Sequence, residues 1–145
     1  MPRMWRALIN GLTQYATFAE PVDDDDIRSA EAILNQPIPA HLASLLRETD
    51  GVTGEYGLAL VWNLDRLVQD NLASRRTPDF APLYMPFDPL LFFADAGNGD
   101  QFALLSPPID RHDVFVWDHE NDSRQWVAPN VEMYLRWWIA GKIRI

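Results

Sequence analysis

The apolar residues of the first third recur every three or four positions, which is helical spacing. This pattern predicts a helix over residues 3–18, a second that follows the four aspartates at 23–26, and a third that begins near Pro39. The aspartate run favours a helix start, because one carboxylate caps free amide groups and the helix dipole favours the others. A metal site is the alternative, but neighbouring helical residues point in different directions. Gly51 is expected to end the third helix in the left-handed conformation.

Apolar runs of strand length dominate the middle of the chain. Two of them flank Asn98-Gly99, a pair that accepts positive φ at both central positions of a tight turn, so residues 90–105 are predicted as a β-hairpin. Further strands are expected over residues 58–62, 114–117 and 124–128, with short helices over 64–72 and from about 130 to 141. Of Trp137 and Trp138, one is expected to enter the core. Residues 73–89 are predicted to form a long irregular connection.

This order of elements predicts an α+β fold. Helices come first, then a run of hairpin-connected strands, then one helix, so we expect a mostly antiparallel sheet of about four to six strands with N-terminal and C-terminal helices packed on it. Residues 90–93 and 114–117 are apolar without alternation, which indicates that both sheet faces are covered. The length of 145 residues fits a single domain, residues 1–145.

Composition narrows the classes of partner. The chain carries 21 acidic against 12 basic residues, a formal net charge of −9, so it is expected to attract a basic protein and to repel nucleic acid. There is no cysteine, which excludes disulfides and thiolate metal sites. Residues 7–19 lack the continuous apolar core of a signal peptide, and no run reaches the ~18 apolar residues of a membrane span. We therefore expect a cytoplasmic protein without membrane contact.

Motifs for catalysis are missing from the sequence. There is no G-x-S-x-G elbow and no thiol, and residues 97–100 lack the third glycine and the Lys-Ser/Thr of a phosphate loop. His112-Asp113 and residues 118–120 are separated by a strand whose ends lie ~15 Å apart, too far to share one ion without folded-back loops. We therefore expect neither a cofactor, a metal nor an enzymatic activity.

The order of several short motifs resembles the SUKH superfamily, which joins fungal cell-wall assembly regulators of the Smi/Knr type to bacterial toxin-immunity proteins. The resemblance spans residues 24–140 and leaves the N-terminal helix outside. It is carried by a helical opening that ends in Asp50-Gly51, a mid-chain helix with Asn71, a glycine-rich turn over 97–100, a strand ending in Trp117-Asp118, and a closing helix near Tyr134. Ala94 and Ala96 stand where the superfamily often has glycine.

The resemblance implies a protein-binding domain. The leading hypothesis is an immunity protein that neutralises a cognate, basic bacterial toxin by direct binding. A regulatory scaffold for host proteins is the first alternative, and an unrecognised enzyme is the second. The oligomeric state is left open. The candidate contact residues are acids and polar residues of predicted turns, with three tryptophans as anchors: Glu55, Tyr56, Trp62, Asp95, Asn98, Asp100, Trp117, Asp118, His119, Glu120 and Trp126.

Overall fold

A computed structural model describes residues 4–76, 90–105 and 111–144. The helices are α1 (Met4–Leu12), α2 (Asp24–Leu34), α3 (Ala40–Leu46), α4 (Leu64–Arg76) and α5 (Val131–Ile139). The strands are β1 (Thr17–Phe18), β2 (Val52–Thr53), β3 (Ala59–Val61), β4 (Leu90–Asp95), β5 (Gln101–Leu105), β6 (Val114–Trp117) and β7 (Arg124–Ala128). The predicted α+β class is confirmed. The strands of the described residues form two antiparallel sheets, in the orders β1-β2-β3 and β4-β5-β6-β7, where the sequence predicted one.

A bulge in β4 joins the two sheets. Phe92 pairs with Ala103 and Ala94 pairs with Phe102, so Phe93 is an extra residue without a partner in β5. Its carbonyl instead accepts a 2.7 Å hydrogen bond from the backbone N–H of Trp62, the residue after β3. The bulge thus turns a carbonyl of one sheet towards the other and places β3 beside β4.

The side chain of Asn71 in α4 makes the hydrogen bonds to the Phe92 backbone that a neighbouring strand would otherwise make. Its Oδ1 accepts the N–H of Phe92 at 2.8 Å, and its Nδ2 donates to the carbonyl of the same residue at 2.8 Å. Nδ2 also donates to the carbonyl of Leu67 at 2.7 Å. Asn71 is 1% exposed, so these bonds are shielded from water. One side chain therefore satisfies both backbone groups of a buried strand residue.

The core lies between the sheets and the helices. Five of the six residues of β4 are buried, which confirms that its two faces are covered. On α5, Tyr134 packs its ring against Phe93 and Phe102, with centroid separations of 5.3 and 4.8 Å. The Tyr134 hydroxyl donates to the carbonyl of Leu60 at 2.8 Å, which ties α5 to β3. Trp137 and Trp138 are both half-buried, so neither enters the core fully, contrary to prediction.

The N-terminal helix is shorter than the predicted 3–18. It ends at Leu12, and residues 17–18 form β1 instead, because the Thr13 Oγ1 accepts the N–H of Tyr15 and turns the chain. The carboxylate of Glu48 holds the start of α1. It accepts the N–H groups of Met4, Trp5 and Arg6 at 3.0–3.2 Å, which otherwise have no partner within the helix.

The aspartate run starts α2, as predicted. Asp23 Oδ1 accepts the N–H of Asp26 at 2.8 Å and Asp26 Oδ2 accepts the N–H of Asp23 at 3.4 Å, a capping box. The predicted end of the third helix at Gly51 is wrong, because α3 ends at Leu46. Gly51 does take a positive φ of 88°, but it does so in the connection from α3 to β2.

The hairpin of β4 and β5 is confirmed, whereas its predicted turn type is wrong. Asp95 pairs with Gln101, so five residues connect the strands instead of two. Positive φ falls on Gly97 (94°) and Gly99 (97°), and Asn98 keeps a negative φ. The Asn98 Oδ1 accepts the N–H of Asp100 at 3.0 Å, so its side chain shapes the turn.

The predicted irregular connection over residues 73–89 is only partly described. Residues 73–76 extend α4 beyond the predicted end at residue 72, and residues 77–89 lie outside the described residues. Across the part of the chain that the structure describes, no helix combines the length and the apolar character needed to cross a membrane.

Candidate partner-binding surface

Three loops that are far apart in sequence meet at one surface. They are the 3₁₀ turn Glu55–Gly57 before β3, the hairpin turn with its flanking Asp95 (residues 95–100), and the turn after β6 (residues 118–120). We call these residues together the three-loop surface. The first two loops line a common pocket, and the third is hydrogen-bonded to the second through Asp100.

Asp100 and His119 connect the second and third loops. Asp100 Oδ1 lies 2.6 Å from His119 Nδ1 and accepts the backbone N–H of His119 at 3.1 Å. The imidazole lies directly on Gly99, where a Cβ would come within 2.9 Å of the His119 Cε1. The hydrogen bond to Asp100, together with the nearby charges of Asp100, Glu120 and Asp118, raises the pKa of His119 above its usual 6.5.

Arg66 of α4 fixes the start of the hairpin turn. Its guanidinium makes two hydrogen bonds to the Asp95 carboxylate, at 2.7 and 2.8 Å, and a third to Asp70 at 3.0 Å. The same group lies over the ring of Trp62, 4.3 Å from its centroid. Burial opposes the positive charge, but the bonds to Asp95 and Asp70 outweigh it and raise the pKa of Arg66. The charge of Asp95 is therefore compensated within the protein.

The 3₁₀ turn forms the exposed rim of the surface. Tyr56 is 97% exposed and has φ 61° and ψ 22°, a left-handed conformation that favours glycine. The turn is held by the N–H of Gly54, which donates to the carbonyl of Leu58 at 2.7 Å. A cavity of about 540 Å³ lies between this turn and the hairpin turn.

Eight of the eleven predicted contact residues lie on the three-loop surface, namely Glu55, Tyr56, Asp95, Asn98, Asp100, Asp118, His119 and Glu120. The three tryptophans lie elsewhere. Trp62 is 1% exposed and Trp117 is 9% exposed, so both belong to the core and neither offers a ring to a partner in this conformation. Trp126 is 51% exposed on β7, where its Nε1 donates to Asp113 at 2.8 Å.

Asp100, Asp118 and His119 are the residues of this surface that could approach one metal ion. One oxygen or nitrogen from each lies within 4.8 Å of the others, a grouping found for no other set of three in the described ranges. However, Asp100 Oδ1 is already occupied by His119, and Asp118 Oδ1 accepts the N–H of Glu120 at 2.8 Å. Hydrogen bonds within the protein account for the arrangement.

Sequence reasoning missed Arg66 as a residue of this surface. It lies 29 positions before Asp95 and carries no motif, so only the packing of α4 on β4 brings the two together. The signal that the sequence offers for Arg66 is that it lies on the same helix as Asn71.

We predict that the stability of the protein falls as the pH rises above 6.5 because of His119. The pKa of His119 is raised in the folded state, so the protonated imidazole stabilises the fold below pH 6.5 and this contribution is lost as pH rises through the raised pKa. Urea midpoints measured across this range should show the fall in the natural protein and a smaller one in His119→Asn. Equal pH dependence of the two proteins would contradict the role given to the Asp100–His119 pair.

Two antiparallel sheets covered by helices, with three loops gathered into one polar surface, define a protein of the α+β class. The chain belongs to the SUKH superfamily, since the family model SUKH_6, described as SMI1-KNR4 cell-wall, matches residues 24–135. The match begins at the first residue of α2 and ends within α5, so α1 lies outside it. No curated protein matches the chain.

Proposed function

We propose that this protein is an immunity protein that acts by binding, not by catalysis, and neutralises one basic bacterial toxin through the three-loop surface. The observation that carries the proposal is the convergence of three separate loops into one acidic surface with an exposed tyrosine. Membership of the SUKH superfamily supports a protein partner. We place its action in the cytoplasm.

Charge supports a basic partner. The surface has five acidic residues, Glu55, Asp95, Asp100, Asp118 and Glu120, of which Asp95 is compensated by Arg66. The net charge of −9 extends the attraction beyond the surface itself. Complementary charge of this kind accelerates encounter and sets specificity, whereas tight binding requires an aromatic anchor in a desolvated contact. Tyr56 is the aromatic residue that the surface offers for that role.

The proposal predicts that charge reversal on the surface slows association with the partner. The partner is first captured from lysate of the source cells and identified, and its own activity is measured with and without the protein at equal molar amounts. The double variant Glu55→Lys/Glu120→Lys should then associate at least about tenfold more slowly at low salt. Both residues are exposed, so the fold should be retained.

The matched control is Glu20→Lys/Asp65→Lys, which changes the net charge equally at exposed positions outside the surface. Its association rate should stay close to that of the natural protein. Equal slowing by both double variants would leave only a general charge effect and would contradict a role for this surface. A captured partner that keeps its full activity in the complex would contradict the immunity function.

A regulatory scaffold that binds host proteins is the second candidate. The cell-wall description of the matching family model favours it. A scaffold is expected to retain several partners of weaker affinity, each released at moderate salt, instead of one stoichiometric partner. The salt at which bound proteins are released, measured in the same capture experiment, separates the two functions.

A further inference from the structure

Tyr56 is held in a costly backbone conformation, and its side chain makes no hydrogen bond or ring contact with the other described residues that would offset the cost. A non-glycine residue with left-handed backbone angles is destabilised by about 1–2 kcal/mol, and Tyr56 has φ 61°. The residue is 97% exposed, and nothing in the described residues bonds to its ring. The ring therefore contributes little to the fold, and it borders a cavity of the three-loop surface.

That cavity is lined by apolar and polar residues together. Leu58 and Ala59 line it, and a Leu58 methyl group lies 3.5 Å from the place of a Cβ on Gly97. The glycine thus leaves room above the leucine. The volume of about 540 Å³ accommodates a long side chain with an apolar stem. Tyr56 lines the cavity while remaining almost fully exposed, which places its ring at the mouth.

The charges around the cavity are unequally compensated. Asp95 is bound by Arg66 at 2.7 Å and Asp100 faces His119 at 2.6 Å. Glu55 also lines the cavity, and among the described residues its carboxylate has no hydrogen-bond or ion-pair partner. The mouth of the cavity therefore offers a partner the carboxylate of Glu55, which has no partner among the described residues, and the exposed ring of Tyr56.

We infer that this cavity receives an arginine side chain of the partner protein. The inference rests on the proposed function, since it names the group that the three-loop surface grips. An arginine stem packs on apolar side chains such as Leu58, and its charged head stays in contact with polar groups. Its planar guanidinium stacks on a tyrosine ring and forms two parallel bonds to a carboxylate, which an ammonium group cannot do.

The test uses a small probe, so it does not depend on finding the partner. N-acetyl-arginine methylamide is titrated into the ¹⁵N-labelled full chain and amide shifts are followed by NMR. We expect saturable shifts at residues 55–59 and at Gly97 and Gly99, and weaker ones with the lysine analogue. The citrulline analogue, which is neutral and otherwise similar in shape, should cause no saturable shift. Equal binding of citrulline or lysine, or shifts mapping elsewhere, would overturn the inference.

Two variants test whether Glu55 and Tyr56 bind the arginine probe. Glu55→Gln should weaken the arginine probe about fivefold, and Tyr56→Gly should weaken it about two- to fivefold while keeping or raising the urea midpoint, because glycine suits the left-handed backbone. Glu20→Gln, which neutralises an exposed acid outside the three-loop surface, is the control and should bind the probe like the natural protein. Unchanged binding in both test variants would overturn the inference.

Failure here is distinguishable from failure of the proposed function. If the captured partner binds the natural protein and is slowed by Glu55→Lys/Glu120→Lys, yet the arginine probe does not bind, the immunity function stands and the arginine assignment falls. If the probe binds the cavity but no stoichiometric partner exists, the cavity stands and the immunity function falls.

Discussion

Gly51→Ala should destabilise the protein by about 2–5 kcal/mol, from the left-handed backbone and from overpacking together. Gly51 has φ 88°, and a Cβ there would lie 2.8 Å from the backbone N of Asn63 and 3.0 Å from the carbonyl O of Val61. Val61 is the last residue of β3 and Asn63 immediately precedes α4, so these atoms cannot move without disturbing both elements. Urea unfolding should show the loss as a lower midpoint with an unchanged slope.

Substitutions at two other glycines separate the backbone contribution to this loss of stability from the packing contribution. Gly57 has φ 77° but open space around its Cβ position, so Gly57→Ala should cost only the backbone term of about 1–2 kcal/mol. Gly11 lies inside α1 without positive φ and with open space, so Gly11→Ala should stabilise by about 0.5–1 kcal/mol. If Gly51→Ala costs no more than Gly57→Ala, the close approach to Asn63 is not what Gly51 is needed for.

Asn71→Leu should lower the free energy of unfolding by about 2–5 kcal/mol. The substitution removes the hydrogen bonds that Asn71 makes to the N–H and the carbonyl of Phe92 in the core, and each buried group that loses such a bond costs about 1–3 kcal/mol. The apolar surface that leucine adds offsets little of this, because the site is shaped for an amide. Hydrogen exchange of the Phe92 amide should accelerate in the variant along with the fall in the urea midpoint.

Gln69→Leu is the matched control for Asn71→Leu. It replaces an amide by the same side chain in the same helix, but at an exposed position, so its effect should stay within about 0.5 kcal/mol. Similar losses in the two variants would mean that α4 tolerates leucine poorly in general. That result would contradict the stabilising role given to the hydrogen bonds between Asn71 and the Phe92 backbone.

Elements with a strong local pattern were predictable from the sequence. The strands β6 and β7 have the predicted bounds, and the aspartate run marks the start of α2, because alternation, apolar runs and caps act over a few residues. The strands β1 and β2 have two residues each and were missed. They exist only because the chain brings them together, and nothing in two residues encodes that pairing.

The candidate surface was predictable in its residue types and not in its geometry. Turn signals in the sequence predicted that most of its acids lie in loops. Contacts with residues far away in the sequence decide which of these acids have a partner within the protein. Asp95 is bound by Arg66 and Asp100 by His119, whereas Glu55 is left open, and no local pattern distinguishes the three. The left-handed backbone of Tyr56 was equally hidden, since tyrosine rarely adopts it.

Ionisation of the Tyr134 phenol provides an optical signal for unfolding of this protein in alkali. Burial, with a smaller contribution from the charge of Asp95, holds the pKa of its phenol well above 10. The proton bonded to the carbonyl of Leu60 therefore leaves only when the core opens, and the fold loses stability as the pH rises past 10. Phenolate absorbance from Tyr134 consequently tracks global unfolding without an attached dye, and Tyr134→Phe supplies the blank.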